Sequence, residues 1–356
     1  MREALRIAHN AEGRTSPNPL VGAVIVKDGK IIAEGWHRLA GTPHAEIHAL
    51  NMAGELAKGS TLYVTLEPCS HFGRTPPCAR AIVDAGIKKV FAAMSDPNPK
   101  VAGRGFEILR TAGIEVEVGL LEAEARKLNE VFVKWITKNL PFVTMKFACS
   151  LDGKIATSSG ESQWISCKES RKFTHRLRDL NDAILVGVGT VLADNPSLTT
   201  RLVEGKNPVR VIVDSNARTP IDSKVVTDKS ARTIIATTSN APPEKISSLE
   251  GRGVEIITAG NGERVDLKIL MSELARREIT SVLVEGGGTI HFSMLSAGLV
   301  DKVLAFVAPK IIGGQNSLTA VAGAGFEKLS DVVKLKNFTA QNLGEDILIS
   351  GYVTEV

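Results

Sequence analysis

The sequence predicts an α/β protein with two domains. Its 356 residues exceed the usual length of a single domain. Short apolar runs rich in β-branched residues alternate with helical patterns along the chain, as expected for mixed or parallel sheets. A charged helical stretch at residues 120–139 is followed by Pro141. We therefore place the domain boundary there, which predicts one domain over residues 1–140 and a second over residues 141–356.

The first domain is predicted to contain a mixed sheet. It begins with an amphipathic helix at residues 1–10 and a proline-containing loop at residues 14–19. A turn at residues 27–30 joins the first two strands into a hairpin. The predicted strands are residues 21–26, 31–35, 61–65 and 89–94. Because the later strands alternate with helices, they are expected to pair in parallel.

A candidate metal site lies between residues 42 and 78. His44 stands two residues before Glu46, and Cys69 and Cys78 each follow a proline. One imidazole and two thiols provide three ligands for zinc and leave the fourth tetrahedral position open to water. Zinc lowers the pKa of such a water, and Glu46 is suited to move protons between that water and a leaving amine. The pattern therefore predicts a zinc-dependent deaminase that acts on a ring.

Both helices of this region are predicted to begin near a proline. Thr42 is a candidate N-cap with Pro43 in the first helical position, and Pro77 can open a second helix that ends at Gly86. Unpaired N–H groups at a helix N-terminus favour thiolate over thiol. Side chains of the first turn tilt toward the N-terminus, so a histidine and a glutamate there can reach one site.

Two alternative interpretations of these residues are weaker. His44 and His48 have the spacing of a metalloprotease pair, but that motif needs a glutamate directly after the first histidine, where this chain has Ala45. Cys69 and Cys78 could also be ordinary buried thiols, the usual role of a single cysteine, but the upstream segment from Pro43 to Glu46 favours metal ligation. The other two cysteines, Cys149 and Cys167, we interpret as structural.

The spacing between the two cysteine ligands departs from the general deaminase signature. Eight residues separate Cys69 from Cys78, whereas the signature has two. The insertion includes His71 and Arg74. Such polar groups at the rim of a zinc site can point at a substrate.

The second domain is predicted to be a multi-stranded α/β domain. It begins with a strand at residues 142–148. Further apolar runs with a β-branched bias occur at residues 184–188, 209–213, 233–236, 254–257, 282–284, 303–307 and 347–349. Helical patterns at residues 166–180 and 267–278 lie between some of them.

Two glycine loops in this domain are candidate phosphate sites. Gly187 and Gly189 follow a strand, but the third glycine of a dinucleotide fingerprint is replaced by Leu192. The loop at residues 285–289 follows another strand and precedes a helix, so its backbone N–H groups can approach a phosphate. A tight strand-to-helix turn explains the same glycines, and both interpretations stay open at this level.

Composition excludes several classes of protein. The net charge is +4 with no block of like charges, so nucleic acid is not required as a partner. No apolar run has membrane-spanning length, and the N-terminus lacks the apolar region of a signal peptide. Four cysteines, two of them in a metal pattern, fit a reducing compartment. We expect a cytoplasmic protein.

Three segments of the first domain resemble the bifunctional deaminase–reductase family of riboflavin biosynthesis. They are residues 16–25, 41–46 and 67–78, and the eight-residue insertion separates this family from cytidine and tRNA adenosine deaminases. The resemblance implies a cytidine-deaminase-like three-layer domain in which His44, Cys69 and Cys78 hold zinc and Glu46 is the proton shuttle. The positions that match the pyrimidine and ribose phosphate pocket are Asn18, His37, His71, Arg74, Asp96 and Asn98.

The second domain resembles the reductase half of the same family. Residues 150–153, 187–190 and 193–201 and the loop from Glu285 carry the similarity. It implies a dihydrofolate-reductase-like fold that uses NADPH. Cofactor-contacting positions correspond to Ala148, Trp164, Thr190, Asp194 and Gly287, and positions that hold the ribose phosphate substrate correspond to Ser162, Arg178, Leu198, Arg201 and Glu285.

The resemblance implies two consecutive reactions on a phosphorylated pyrimidine. The first domain would deaminate 2,5-diamino-6-(5-phosphoribosylamino)pyrimidin-4-one, and the second would reduce the ribosyl group to ribityl with NADPH. We also expect a homodimer, because α/β surfaces of this kind often pair by two-fold symmetry. Two alternatives are a nucleoside or tRNA-editing deaminase with an accessory domain and a second domain that has no catalytic role. Sparse tryptophan and tyrosine disfavour the first.

Overall fold

The computed structural model describes residues 1–70, 77–99 and 101–354 of the chain. The chain divides into two compact units, Met1–Leu140 and Pro141–Val356. Each unit is built on its own β-sheet. Among the described residues, no helix has both the length and the apolar character needed to cross a membrane.

A five-stranded mixed sheet forms the centre of the first unit. Its strands are β1 (Gly22–Lys27), β2 (Lys30–Trp36), β3 (Thr61–Val64), β4 (Lys89–Ala92) and β5 (Glu115–Val118). They lie in the order β2-β1-β3-β4-β5. β1 pairs antiparallel with β2 and β3, and β3, β4 and β5 are parallel. The predicted hairpin and mixed sheet are confirmed.

The helices of the first unit lie on both faces of this sheet. They are α1 (Arg2–Ala8), α2 (Ala45–Ala53), α3 (Cys78–Asp84), α4 (Arg104–Thr111), α5 (Glu122–Leu128) and α6 (Glu130–Lys138). Ile25 of β1 belongs to a buried cluster with residues of α2, α3 and α4. Val24, which points to the opposite face, packs with Ala4 and Ile7 of α1. This alternation produces three layers.

The prediction that Thr42 caps α2 is wrong. The Thr42 N–H and hydroxyl both donate to the Leu39 carbonyl, so this threonine closes a turn before the helix. His44 is the N-cap residue instead, with an extended backbone at φ −75° and ψ 167°. A candidate zinc ligand therefore occupies the junction between loop and helix.

Asn129 joins two distant segments of the first unit. Its side chain accepts the Leu20 N–H at 2.8 Å and donates to the Leu20 carbonyl at 3.0 Å. Asn129 is buried and divides α5 from α6, where the sequence predicts one continuous helix. Leu20 follows the loop at residues 14–19, so this amide holds the end of that loop against the helices.

A nine-stranded sheet forms the second unit. Its strands are β6 (Phe142–Ser150), β7 (Ala183–Gly187), β8 (Val209–Val213), β9 (Thr233–Thr237), β10 (Glu255–Thr258), β11 (Ser281–Gly286), β12 (Lys302–Ala308), β13 (Leu335–Leu343) and β14 (Asp346–Val353). Their order is β10-β9-β8-β7-β11-β6-β12-β14-β13. The strands from β10 to β12 are parallel, and β14 and β13 complete the sheet with antiparallel pairs.

Helices follow most of the parallel strands. They are α7 (Lys168–Leu180), α8 (Val188–Asp194), α9 (Lys224–Thr227), α10 (Pro243–Glu250), α11 (Leu267–Arg276) and α12 (Gly288–Ser296). Every residue of β7 is buried, so both faces of the sheet are covered there. β7 runs directly into α8, and its neighbour β11 leads into α12. Because β7 and β11 are neighbouring parallel strands, the two glycine loops lie side by side at the carboxyl ends of these strands.

Candidate active sites

The three predicted zinc ligands converge in the first unit. His44 caps α2, Cys78 is the first residue of α3, and Cys69 lies in the loop after β3. The His44 Nδ1 atom lies 3.6 Å from the Cys69 Sγ atom and 3.3 Å from the Cys78 Sγ atom. Tetrahedral zinc with N and S ligands separates its ligand atoms by about 3.5 Å, so this donor set fits the ion.

The two cysteines are electrostatically different before a metal enters. A hydrogen bond from the Cys78 thiol, together with His44 and the Cys78 N–H at 3.2 Å, lowers the pKa of Cys69 to about 4. The same bond to Cys69 and burial raise the pKa of Cys78. Zinc binding would require both thiols as thiolates.

Glu46 lies in the first turn of α2, beside the ligands. Its side chain is buried, with the residue only 3% exposed. Burial, reinforced by the charge of Cys69, raises the pKa of Glu46 to about 7. A carboxyl group with this pKa can both accept and return a proton near neutral pH.

Asn18 and His37 are hydrogen-bonded to each other next to the zinc ligands. The Asn18 Nδ2 atom lies 3.2 Å from His37 Nε2, and His37 Nδ1 lies 3.3 Å from the Pro43 carbonyl. The His37 and His44 rings pack edge to face at 5.3 Å. Burial lowers the pKa of His37. We assign the proton to Nδ1, because a carbonyl requires a donor there, and this leaves Nε2 to accept from Asn18.

Asp96 and Asn98 lie in the loop after β4, next to the segment that carries Cys69. The Asp96 carboxylate accepts the Asn98 N–H at 2.8 Å. Because β3 and β4 are parallel neighbours, the loops at their carboxyl ends lie side by side. The other two predicted substrate residues, His71 and Arg74, lie outside the described residues.

Arg178 and Glu285 form a bidentate ion pair in the second unit. The Arg178 Nε and Nη2 atoms donate to the two Glu285 oxygens at 2.7 and 2.9 Å, and Nη1 donates to the Thr199 carbonyl at 3.0 Å. Burial alone would raise the pKa of Glu285, but the charges of Arg178 and Lys146 hold it below its usual value. The pair thus joins α7, the end of β11 and the loop after α8.

Arg201 extends from this loop toward solvent. Its N–H donates to His175 Nδ1 at 2.8 Å, and its guanidinium donates to the Thr199 hydroxyl at 3.0 Å. Burial and the charges of Arg178 and Arg201 lower the pKa of His175 to about 4, so the ring is a neutral acceptor. Leu198 is buried with a positive φ of 53°, which turns the chain toward Thr199.

Lys146 is a member of this group that the sequence analysis missed. It lies on β6, and the charges of both Glu285 and Arg178 act on it. Burial lowers the pKa of Lys146. A lysine within the otherwise mostly apolar stretch Phe142–Cys149 was the available signal, because charged residues are seldom buried without a partner.

The two glycine loops meet at the ends of β7 and β11. A Cβ atom on Gly286 would lie 2.7 Å from Val186 and 3.0 Å from the Thr190 hydroxyl. Gly287 has φ 75° and caps α12. Only glycine permits this close approach of the end of β11 to Val186 and Thr190.

The remaining predicted cofactor and substrate residues are more scattered. Ala148 lies on β6 and Asp194 ends α8. Ser162 and Trp164 lie in the loop after β6, where the Trp164 ring is 62% exposed and stacks against Arg171 at 4.6 Å. In the described part of the chain, neither Asp194 nor Trp164 makes a side-chain hydrogen bond to the group around Arg178.

Comparisons with known families cover both units. Residues 1–94 match the cytidine and deoxycytidylate deaminase zinc-binding region, and residues 141–349 match the RibD C-terminal domain. The riboflavin biosynthesis protein RibD of Actinobacillus pleuropneumoniae is 47% identical over 98% of this chain and 93% of its own length. The RibD protein of Escherichia coli is 42% identical over 98% of this chain and 97% of its own length.

Solved structures show the same architecture. RibD of Acinetobacter baumannii superposes with a TM-score of 0.90 at 39% identity, covering 99% of this chain and 98% of that one. A diaminohydroxyphosphoribosylaminopyrimidine deaminase/5-amino-6-(5-phosphoribosylamino)uracil reductase from Thermotoga maritima superposes with a TM-score of 0.86 at 40% identity, covering 99% and 97%. The predicted fold class is therefore confirmed: a cytidine deaminase domain precedes a dihydrofolate-reductase-like domain. The chain belongs to the RibD family of bifunctional riboflavin biosynthesis enzymes, in which a zinc-binding deaminase is joined to a reductase.

Proposed function

We propose that the chain catalyses two consecutive reactions. The first unit removes the 2-amino group of 2,5-diamino-6-(5-phosphoribosylamino)pyrimidin-4-one as ammonia. The second unit uses NADPH to reduce the ribosyl group of the product, which yields 5-amino-6-(5-phosphoribitylamino)uracil. The convergence of His44, Cys69 and Cys78 with buried Glu46 carries the proposal. The three ligand atoms lie within 4.8 Å of one another and can hold a metal ion, and the carboxyl group beside them can transfer protons.

Deamination in the first unit depends on proton transfer by Glu46. Zinc held by His44, Cys69 and Cys78 supplies the Lewis acidity that makes water nucleophilic near neutral pH. Glu46 takes the proton of the attacking water and gives it to a ring nitrogen. It then takes the proton of the newly added hydroxyl and delivers it to the amine, which leaves as ammonia as the C–N bond breaks and the carbonyl forms. Its burial keeps bulk water from competing for that proton.

Neighbouring polar residues orient the ring. Because Asn18 donates to His37, its Oδ1 atom faces away and can accept a substrate N–H. We assign Asp96 and Asn98 to the same pocket because their loop adjoins the Cys69 segment. His71 and Arg74 complete the proposed set on the sequence resemblance alone, with Arg74 suited to the phosphate.

Reduction in the second unit depends on holding two substrates in one orientation. NADPH supplies the hydride, and the glycine loops carrying Thr190 and Gly287 are the proposed seat of its phosphates. Ala148, Trp164 and Asp194 are further proposed cofactor contacts. Arg201 reaches from the ordered loop toward solvent and is the proposed ligand of the substrate phosphate, with Ser162, Arg178, Leu198 and Glu285 lining the ribose.

Domain boundary, assembly and location form part of the proposal. The two compact units support a functional boundary between Leu140 and Pro141. β13 is the last strand of its sheet, is exposed along almost its whole length, and presents Leu335 and Phe338 at 37% and 61% exposure. An exposed edge strand with two exposed apolar side chains suits pairing with a second copy in a homodimer. Four free cysteines, two of them in the zinc site, support a cytoplasmic location.

One experiment tests both activities in the same preparation. Ammonia release and product-dependent NADPH oxidation are measured with the diaminopyrimidine phosphate, for the unaltered chain and for Glu46→Gln. We expect Glu46→Gln to retain zinc and to lose ammonia release, while it still oxidises NADPH when supplied with the deaminated intermediate. Release of ammonia only from cytidine, dCMP or tRNA would refute the proposed substrate, and NADPH oxidation absent with the supplied intermediate would refute the reductase role.

A further inference from the structure

Glu67 is a buried carboxylate with an unusual set of partners. It lies two residues before Cys69 and is 3% exposed. Its Oε2 atom accepts the N–H groups of Asp96 at 3.1 Å and Gly103 at 3.0 Å, and Oε1 accepts the Gly105 N–H at 3.0 Å. In the described part of the chain, these hydrogen-bond donors are all backbone groups, one at Asp96 and two at the start of α4.

Residues 96 and 103–105 lie close to the segment that carries Cys69. A Cβ atom on Gly105 would lie 2.0 Å from the Pro68 carbonyl oxygen, so no other residue fits at this contact. The Glu67 N–H also donates to the Met94 carbonyl at 3.0 Å, just before Asp96. One glutamate therefore fixes the start and the end of the loop between β4 and α4 to the same tripeptide that supplies a zinc ligand.

The loop held in this way carries two proposed substrate residues. The Asp96 N–H donates directly to the Glu67 carboxylate. The Asn98 N–H in turn donates to the Asp96 carboxylate at 2.8 Å. Hydrogen bonds to a charged acceptor are stronger than those to a neutral acceptor. Three of them converge on the buried Glu67 carboxylate, which therefore restrains the backbone of this loop.

We propose that Glu67 is a positioning residue for deamination, which fixes the loop carrying Asp96 and Asn98 against the Cys69 segment and so places their polar groups on the substrate ring. It does not touch the substrate or the metal. This inference rests on the proposed function of the first unit and on the assignment of Asp96 and Asn98 to its pocket.

The test is a double-substitution cycle on the full-length, zinc-loaded chain. Glu67→Gln, Asn98→Ala and the double variant are assayed for zinc content and for kcat and KM of ammonia release from the diaminopyrimidine phosphate. Reductase activity on supplied intermediate reports on the folding of the chain. Glu107→Gln, an equal change of charge on the exposed face of α4, is the matched control.

The expected result separates positioning from simple stabilisation. Glu67→Gln should keep about one zinc per chain and raise KM roughly tenfold with a smaller change in kcat. The side-chain NH2 group of Gln replaces one acceptor oxygen and therefore faces a backbone N–H that has no acceptor left. In the Asn98→Ala background the same substitution should change KM by about threefold, less than in the unaltered chain, since only Asp96 of the two pocket residues then remains to be positioned. Gly103→Ala, which disturbs the loop at a φ of 84° and leaves Glu67 intact, should raise KM in the same direction if Glu67→Gln does not fold.

Several results would overturn the inference. Loss of zinc in Glu67→Gln would mean that the residue supports Cys69 rather than the loop. An unchanged KM with only a lower melting temperature would leave a structural role, and a full tenfold effect in the Asn98→Ala background would show that Glu67 does not act through that residue. Normal kinetics of Asn98→Ala would remove Asn98 from the pocket and the inference with it, whereas absence of ammonia release from the unaltered chain would refute the proposed function itself.

Discussion

Replacing Arg178 by methionine is expected to destabilise the second unit by about 3 kcal/mol. The guanidinium makes two bonds to Glu285 and one to the Thr199 carbonyl, and the paired side chains are only 12% and 7% exposed. Removing one member of a buried ion pair costs about 3–5 kcal/mol, because the other charge stays buried. We expect the lower end of that range, since Lys146 remains beside Glu285 as a second cation.

Glu285→Gln tests this reasoning, because its effect on the free energy of unfolding should have opposite signs with and without Arg178. In the unaltered chain, Glu285→Gln weakens the pair with Arg178 and should lower the free energy of unfolding by about 1–3 kcal/mol. In the Arg178→Met background, the same change removes a buried carboxylate that has lost its bidentate partner and keeps only Lys146 nearby, and it should raise the free energy of unfolding. Lys146 can then lose its proton, because burial already lowers its pKa.

Hydrogen exchange of second-unit peptides across a urea series measures these free energies separately from the first unit. Ammonia release serves as the control, because the deaminase residues lie in the other compact unit and should be unaffected. Destabilisation of the same size by Glu285→Gln in both backgrounds would refute the reasoning. It would mean that the charge of Arg178 does not stabilise the buried Glu285 carboxylate.

Four further outcomes follow from the sites. Cys78→Ala should lose most of its zinc by elemental analysis, because two ligands hold the ion poorly, and zinc retained at full occupancy would remove Cys78 from the ligand set. Arg201→Ala should raise the reductase KM for the phosphorylated substrate by about 10–100-fold, the value of a charged hydrogen bond, and leave ammonia release unchanged; an unaltered KM would contradict the phosphate role. Lys146→Met removes a cation that acts on Glu285, a proposed ribose contact, so it should lower NADPH oxidation while preserving ammonia release, and unchanged NADPH oxidation would place Lys146 outside the reductase site. The folded pKa of His175, about 4, is below its unfolded value of about 6.5, so its stabilising contribution is fully present above that value and is lost as pH falls toward 4. His175→Gln should flatten that part of the stability profile of the second unit, and an unchanged profile would contradict the assignment.

Most strands and the zinc ligands could be predicted because their signals are local. β8 matches the predicted residues 209–213, since a buried parallel strand reads as a continuous apolar run. The zinc motif is recognisable because ligand chemistry permits few residue types at few spacings. β13 was missed because it is exposed on both faces and lacks the alternation that identifies a half-buried strand.

The residues that sequence reasoning missed depend on contacts between distant segments. Glu67 reads as part of a proline-cysteine motif, and only the folded chain shows that its carboxylate binds the backbone near Gly103. Lys146 stands out in the sequence as a lysine within an apolar strand, but its partners are known only once α7 and β11 bring Arg178 and Glu285 near it. The capping error at Thr42 has the same origin, because a hydroxyl that suits an N-cap can equally close the preceding turn.

The amide of Asn129 sets a lower limit on the length of an independent deaminase fragment. The matched zinc-binding region ends at residue 94, which suggests a convenient place to cut the chain. Yet Leu20, beside the loop that carries Asn18, obtains both of its backbone partners from Asn129, and Ala125 and Val133 pack with Leu66 and Met94 under the same sheet. A fragment ending before Asn129 would leave that backbone unpaired, and one ending before α6 would still lose Val133 from the apolar cluster. Any excised deaminase should therefore extend to Leu140, and shorter versions would assemble the zinc ligands on an incomplete scaffold.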